Sequence, residues 1–466
     1  MGVIDWFKDT FGFNKEDDTI DYEEIDRKAT FSEDLVRIIH INPNVYLAHK
    51  AARICIGKDV DEDFDKRMKH LEGVIGINKH ESVAEHTNVI AIFIIRKVHV
   101  EIVPGDFAEL MSVLKYCNVV RGIGNKEEEN IYLLVGGSIR AFMHAIREMT
   151  NYNYFKQYIE TLIYNSFEKC FVKSLIDAEL IDGDKCTYLP NGEVSLVPSS
   201  ITQIKNKFES REEENYDAEC NSIEDPMELL GPHVDVVYMS SIDEIHDKVK
   251  RYGFNLNDVY QVATISFVFH NISKSCSHQL VRHRNAISQE SQRYVLHDYT
   301  YNDFVNPIDL NREDKYSDKR YKEVMEKTIS IANRGFSDYK WLIEHKVTKE
   351  DARAFLPINV TTKLMMTMTY KNYAYFLQLR LDKAAQKEIR NLAEESAAFV
   401  IDDSKVKDFI EYLTTPRALK KTPITEIYVD EVIEEKYIEP TPMEIKTEES
   451  AQVLLDKQEQ YKKMEV

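Results

Sequence analysis

The sequence predicts an α+β protein in two globular parts, and three observations carry that expectation. A chain of 466 residues exceeds one ordinary hydrophobic core and suits two or three domains at roughly 150 residues each. An apolar run compatible with a strand buried on both faces, at 88–95, and an alternating stretch at 262–269, with Ile265, Phe267 and Phe269 on one face and Thr264, Ser266 and Val268 on the other, lie among stretches of helical periodicity. Between them, residues 181–232 collect Asp182-Gly183, Pro190-Asn191-Gly192, Pro198, a charged run and Pro226, which marks a linker rather than a long loop inside one domain. The expected organisation is a polar leader over 1–32, a globular part over 33–180, the linker, a second globular part over 233–415, and an acidic flexible tail over 416–466.

Sixty basic residues against eighty acidic ones give a formal charge of −20, which argues against a nucleic-acid-binding protein unless positive charge is concentrated locally. The six cysteines have no CxxC spacing, so neither a zinc ribbon nor a disulfide framework is expected. No apolar run is long enough to span a bilayer, and the first residues lack the basic-then-apolar pattern of a secretory signal. A soluble cytoplasmic protein without a membrane partner is the expectation.

Taken in order, residues 1–32 open with Ile4, Trp6, Phe7, Phe11 and Phe13, the pattern of a short amphipathic helix on a charged leader. Residues 44–54 place Val45, Leu47, Ala48, Ala51 and Ala52 on one side of a helix. A second helix over 61–77 leads into HESVAEH at 80–86. On a helix His80 and His86 would project about 240° apart, which is not the i, i+4 pairing of a zinc-binding helix, so no metal is expected. NVIAIFII at 88–95 reads as a strand buried on both faces. Beyond the linker, with its hairpin signal at Asn191-Gly192, the pattern restarts: strand 234–239, helix 242–252, strand 262–269, and helix 271–281. Helices over 319–344 and 383–400 follow, the last with Asp382 as N-cap and Ile389, Leu392, Ala393 and Val400 on one stripe.

The chemistry concentrates in residues 279–294, QLVRHRNAISQESQRY. In a strongly acidic chain this stretch gathers Arg282, Arg284, Arg293 and His283 with a run of hydroxyl and amide side chains. Guanidinium forks match the paired oxygens of phosphate, and Ser288, Gln289, Glu290 and Ser291 offer donors and acceptors for a heterocycle or ribose. An isolated RHR is ordinarily a basic turn on a solvated face; the extended string is more specific.

That string closely resembles the signature of flavin-dependent thymidylate synthases, in which RHR is followed after a short spacer by a serine, one residue and Arg-Tyr. Here six residues rather than the usual seven separate Arg284 from Ser291. HESVAEH resembles the family's H-x-S-x-x-E-H element, with His80, Ser82, Glu85 and His86 at the matching positions. In the segment from 131 to 149, Ser138 stands at a family Asn and Arg140 at its Arg, with Arg147 as a further match. ARAFLP at 352–357 resembles A-R-x-x-L-P, and Ala385, Gln386, Glu388, Ile389 and Arg390 match A-Q-x-E-I-R. In the second half the family Asn and Arg are replaced by Thr369 and Lys371. The first half thus keeps the histidine element without RHR, and the second keeps RHR without the histidine element. The resemblance implies two tandem copies of the flavin-dependent thymidylate synthase fold, each a mixed sheet flanked by helices, with the first copy degenerate.

What the resemblance implies for function is reductive methylation of dUMP to dTMP, with methylenetetrahydrofolate as the folate co-substrate and FAD reduced by NADPH. Arg390 takes the catalytic position near the uracil ring. Gln279, Arg282, Ser291, Arg293, Arg353 and Arg390 match nucleotide contacts, and Arg282, His283, Arg284, Gln289, His80, Ser82, Ser138 and Arg140 match flavin contacts. The expected assembly is a homo-oligomer, a dimer of tandem chains imitating the family's tetramer. The alternative is a non-catalytic flavin- or nucleotide-binding or structural protein derived from the enzyme.

Overall fold

The computed structural model describes residues 35–122, 129–182, 231–311 and 317–400. The expected leader, the hairpin signal at Asn191-Gly192 and the tail lie outside them. Alternating apolar residues in VRIIHI and a nearly continuous apolar run in VIAIFIIR build the first sheet. In it β1 (Val36–Ile41) pairs with β2 (Val89–Arg96), β2 with β4 (Asn130–Gly137), and β4 with the short edge strand β3 (Asn118–Arg121), giving the order β1-β2-β4-β3. The second sheet repeats that order with β5 (His233–Met239), β6 (Thr264–Ser273), β8 (Thr361–Thr369) and β7 (Ala286–Gln289), as β5-β6-β8-β7.

Every pairing in both sheets is antiparallel, which corrects the mixed sheets implied by resemblance. Strands that run the same way, β1 with β4 and β2 with β3, are separated by an antiparallel strand, so no parallel ladder forms. The fold class is α+β, two four-stranded sheets flanked by helices.

The first half carries α1 (Asn44–Cys55), α2 (Phe64–Leu71), α3 (Lys97–Ile102), α4 (Pro104–Val113), α5 (Ile139–Glu148), α6 (Lys156–Ser166) and α7 (Lys169–Ile176). The second carries α8 (Ile242–Val249), α9 (Leu256–Val262), α10 (Lys274–Leu280), α11 (Asp318–Glu344), α12 (Tyr370–Arg380) and α13 (Lys387–Val400). Several boundaries differ from expectation; the helix expected over 242–252 ends at Val249 in a 3-10 turn, and that expected over 271–281 spans Lys274–Leu280. The helix over 61–77 stops at Leu71 and relaxes into a π turn, Glu72–Ile77, where Gly73 and Gly76 weaken helical preference. Strand β6 runs past Phe269 to Ser273 through a bulge at which Asn271 takes φ 51°, and the Ser273 hydroxyl then caps α10 by accepting from the Cys276 amide at 2.9 Å. Helix α13 starts at Lys387 because Asp382 spends its carboxylate on the Ala384 amide, 2.7 Å away, in a separate turn.

Each sheet is covered on one face by helices of its own half and on the other by elements of the opposite half. Val89, Ala91, Phe93 and Ile95 of β2 pack with Tyr158 and Ile159 of α6, while Ile90 and Ile92 join a core with Val259 and Val262 of α9. In the second sheet Ile265, Phe267 and Phe269 pack with Tyr373, Phe376 and Leu392, while Val268 and Met365 belong to the first core. Full burial of one such phenylalanine contributes about 2–3 kcal/mol. The exchange is reciprocal: the 3-10 turn Glu81–His86 packs on β7 and β8, and α9 packs on β3 and β4. The approach is closest at Gly136, where a Cβ would fall 2.5 Å from the Val262 Cβ. No helix among the described residues is long and apolar enough to cross a membrane.

Candidate functional site

The exchange of elements creates a cavity of about 660 Å³ between the halves, inside the roughly 300–1,000 Å³ range of small-molecule sites. Its walls come in matched sets. The first half supplies Glu85, Thr87 and Asn88, Asn118 of β3, and Ser138 and Arg140 at the start of α5. The second supplies Thr264, Arg284, Asn285 and Ala286 beside β7, and Thr369 and Asn372 at the start of α12.

Ser138 and Thr369 are the N-caps of those two helices, their hydroxyls accepting from the Ala141 amide at 3.1 Å and the Asn372 amide at 3.2 Å. Two positive helix ends thus line one cavity. Arg140 is paired with Glu85, and Arg284 stands at φ 52° just after the 3-10 turn Val281–His283. That left-handed conformation costs a non-glycine residue about 1 kcal/mol; it ends the helical run and turns the chain into β7. Asn372 Nδ2 donates to Asn285 Oδ1 at 3.0 Å, tying α12 to the signature.

His86 lies behind the wall residue Thr367, to which it is hydrogen-bonded. It is fully buried, and its ring nitrogens hydrogen-bond the Thr367 and Ser288 hydroxyls, each at 3.0 Å. Burial pushes its pKa down to about 3, so the ring is neutral. Behind it Arg147 grips Glu81 with two hydrogen bonds of 2.8 and 2.6 Å, fixing the turn that presents Glu85. His80 and Ser82 are exposed and do not line the cavity.

The rest of the signature divides into two groups outside the cavity walls. At the end of α10, Gln279 donates its side-chain amide to Gln386, and Arg380 donates to His283 Nε2 at 2.9 Å and to the Gln279 carbonyl at 3.3 Å. Burial, and then the Arg380 charge, bring the His283 pKa down to about 4. Arg282 is exposed, and its charge acts on Arg380. Arg390 lies on α13 one turn beyond Gln386; its Nη1 donates to the Lys383 carbonyl at 3.0 Å, and its Nε is 4.0 Å from Glu394. Its side chain is 17% exposed, so its charge is only partly screened.

The second group surrounds the signature's end. The Ser291 amide donates to the Cys55 carbonyl of α1 at 3.1 Å, Arg293 pairs with Glu350 at 3.0 Å, and Arg353 Nε donates to the Glu350 carbonyl at 3.2 Å. Lys274 donates to the Glu290 carbonyl at 3.3 Å, and burial lowers its pKa to about 8. Gln289 turns inward, donating to Ser277 at 2.9 Å and away from the cavity.

The structure therefore brings Ser138 and Arg140 of one half together with Arg284 of the other. It gathers Gln279, Arg282 and His283 around Arg380, with Arg390 one turn beyond Gln386, the partner of Gln279, and it gathers Arg293 and Arg353 at Glu350, with the Ser291 hydroxyl accepting from the Arg293 amide at 3.2 Å. Sequence reasoning missed Arg380, Lys274 and the four asparagines Asn88, Asn118, Asn285 and Asn372. Arg380 had a signal in Arg147, the arginine near the end of the corresponding first-half helix; the asparagines, scattered over the chain, had none.

Comparison with known proteins points to one family. The profile described as thymidylate synthase complementing protein matches residues 197–402. The flavin-dependent thymidylate synthase of Pyrococcus furiosus is 38% identical over 144 residues, covering 30% of this chain and 56% of the relative. That of Pyrococcus horikoshii is 32% identical over 175 residues, covering 36% of this chain and 67% of the relative. That of Geobacter sulfurreducens is 35% identical over 162 residues, covering 34% and 66%. The chain spans 56% and 64% of the length of the Pyrococcus furiosus and Pyrococcus abyssi relatives it matches.

Proposed function

We propose, from the premise that this chain belongs to the flavin-dependent thymidylate synthase family, that it catalyses reductive methylation of dUMP to dTMP, with methylenetetrahydrofolate as carbon donor and NADPH as reductant. The observation that carries the reading is the cavity walled by both halves, with Arg140, Arg284 and the caps of two helices directed at one space. Its volume, its two arginines and its helix ends fit FAD, whose diphosphate needs positive charge and amide donors. Bound there, FAD supplies the hydride of the methylation.

The chain's own residues supply binding and electrostatics. Arg390, anchored by the Lys383 carbonyl and mostly withdrawn from solvent, is the cation beside the uracil ring, stabilising the negative charge that develops as C5 becomes nucleophilic. Gln279 and Gln386, joined to each other, orient the base. Ser291, Arg293 and Arg353 receive the nucleotide phosphate. Arg293 can leave Glu350 cheaply, since both partners are about half exposed and such a pair is worth at most about 1 kcal/mol. Arg282, His283, Gln289, His80 and Ser82, matched to the flavin by resemblance, lie outside the cavity walls.

We infer further that the halves, 33–180 and 233–415, are tandem copies. The identical strand order and the reciprocal packing of the Glu81–His86 turn and α9 support this. The chain thereby imitates a dimer, and two chains would complete a tetramer-like assembly in the cytoplasm.

The test is tritium release from C5-labelled dUMP with NADPH and methylenetetrahydrofolate. Flavin-loaded wild type is expected to release tritium, and Arg390→Ala to release it about 100- to 1,000-fold more slowly. No release from flavin-loaded wild type would instead favour a binding protein derived from the enzyme. That reading draws on Thr369 and Lys371, the latter committed to Gln261 at 3.2 Å.

A further inference from the structure

At the opposite edge of the second sheet, away from the cavity walls, two imidazoles and a carboxylate converge. His233 opens β5 and is the direct cross-strand partner of His270 on β6; Asp235, two residues along β5, shares their face because side chains alternate along a strand. The two rings stack with centroids 4.8 Å apart and planes 5° from parallel, and His270 Nε2 lies 3.0 Å from Asp235 Oδ2. The ligand-type atoms of all three lie within 4.8 Å of one another.

We propose that His233, Asp235 and His270 form a binding site for a divalent transition-metal ion of the zinc class. The donor set, two imidazoles and one carboxylate, suits zinc and its neighbours rather than magnesium or calcium, which take oxygen ligands. The edge of a tetrahedral zinc site is about 3.3 Å between ligand atoms, so the His270–Asp235 edge is nearly formed, and the remaining edges, within 4.8 Å, draw in on binding. His233 is held for this. Its Nδ1 faces the Gly231 carbonyl at 2.9 Å, which assigns the proton to Nδ1 and leaves the Nε2 lone pair for a metal. A backbone carbonyl on the non-ligating nitrogen is the usual partner of a metal-bound histidine.

The backbone also supports the convergence, because the β6 bulge follows directly at Asn271, with φ 51°, and bulges re-aim neighbouring side chains. Three protein ligands leave a fourth position open. Lys50 of α1 and Lys363 of β8 are close enough for their charges to act on Asp235 and His270, so an anion or hydroxide suits that position. The ion clamps the first strand of the second sheet to its neighbour at the point where the chain enters that half. This site is independent of the proposed activity.

The full chain, stripped of metal, is titrated with Co²⁺ and then with Zn²⁺. One equivalent of Co²⁺ is expected to give the visible d–d bands of a four-coordinate centre, bleached by Zn²⁺, and Zn²⁺ is expected to raise the thermal midpoint. Asp235→Asn and His270→Ala should each weaken Zn²⁺ binding more than about tenfold, while His345→Ala, on the exposed end of α11, leaves it unchanged. No cobalt uptake, cobalt uptake with only the weak bands of a six-coordinate ion, or affinity unchanged in both Asp235→Asn and His270→Ala, would overturn the proposal. Asp235→Asn preserves side-chain shape, so loss of binding there is not loss of fold.

Discussion

The two elements that cross between the halves occupy the same place in their respective halves, just before the central strand, yet cross by opposite means. The Glu81–His86 turn reaches the second sheet through a buried imidazole that satisfies two hydroxyls. Helix α9 reaches the first sheet through Val262, pressed against a glycine that leaves no room for a Cβ. A polar crossing specifies one orientation, because every buried donor and acceptor must be matched; an apolar crossing specifies only shape. The polar crossing adjoins Glu85, Thr87 and Asn88 in the cavity wall, where orientation matters. The apolar one is pinned at its end by a polar contact, Asn88 Nδ2 donating to the Val262 carbonyl at 3.0 Å.

Breaking the apolar crossing should cost most. Gly136→Leu forces side-chain atoms into Val262 and is expected to lower stability by about 3 kcal/mol, measured as a shift in denaturant midpoint; wild-type stability in that variant would contradict a tight packing of α9 on β4. Breaking the polar crossing with His86→Ala should cost about 2 kcal/mol, through a cavity and a stranded Ser288 hydroxyl. The same residue gives a pH signature. Its folded pKa of about 3 lies below the ordinary value of 6.5, so the unfolded chain binds the extra proton between those values. Its contribution is fully present above pH 6.5 and is lost as pH falls toward 3. Replacing it in His86→Gln should flatten part of the acid-side decline in stability, and an unchanged slope would remove His86 from the account. A smaller effect, about 1 kcal/mol, is expected for Asn255→Ala, which removes the capping box of α9 made with Asp258.

Much of this architecture was legible because its signals are local. The run at 88–95 is apolar on both faces and became β2, and alternation at Ile265, Phe267 and Phe269 marked the faces of β6. Boundaries were less legible where a side chain chose between local partners. Asp382 looked like the cap of α13, but its carboxylate closes its own turn two residues on, and the helix begins five residues later. The antiparallel sheets were not readable from strands judged singly, since pairing depends on which neighbours meet. The site was legible where a motif gathers residues in sequence, as Arg284 shows. It was not legible where the fold collects Asn118, Asn285 and Asn372 from distant segments, nor at His233 and His270, which only strand register makes neighbours.

The central claim is that one flavin site is built from both halves, and flavin retention in single-arginine variants tests it most directly. Arg140→Ala, in the first half, and Arg284→Ala, in the second, should each release flavin from the purified chain, with affinity falling by about tenfold or more for loss of a charged contact. If Arg284→Ala loses flavin while Arg140→Ala retains it at wild-type affinity, the site belongs to the second half alone and the account is contradicted.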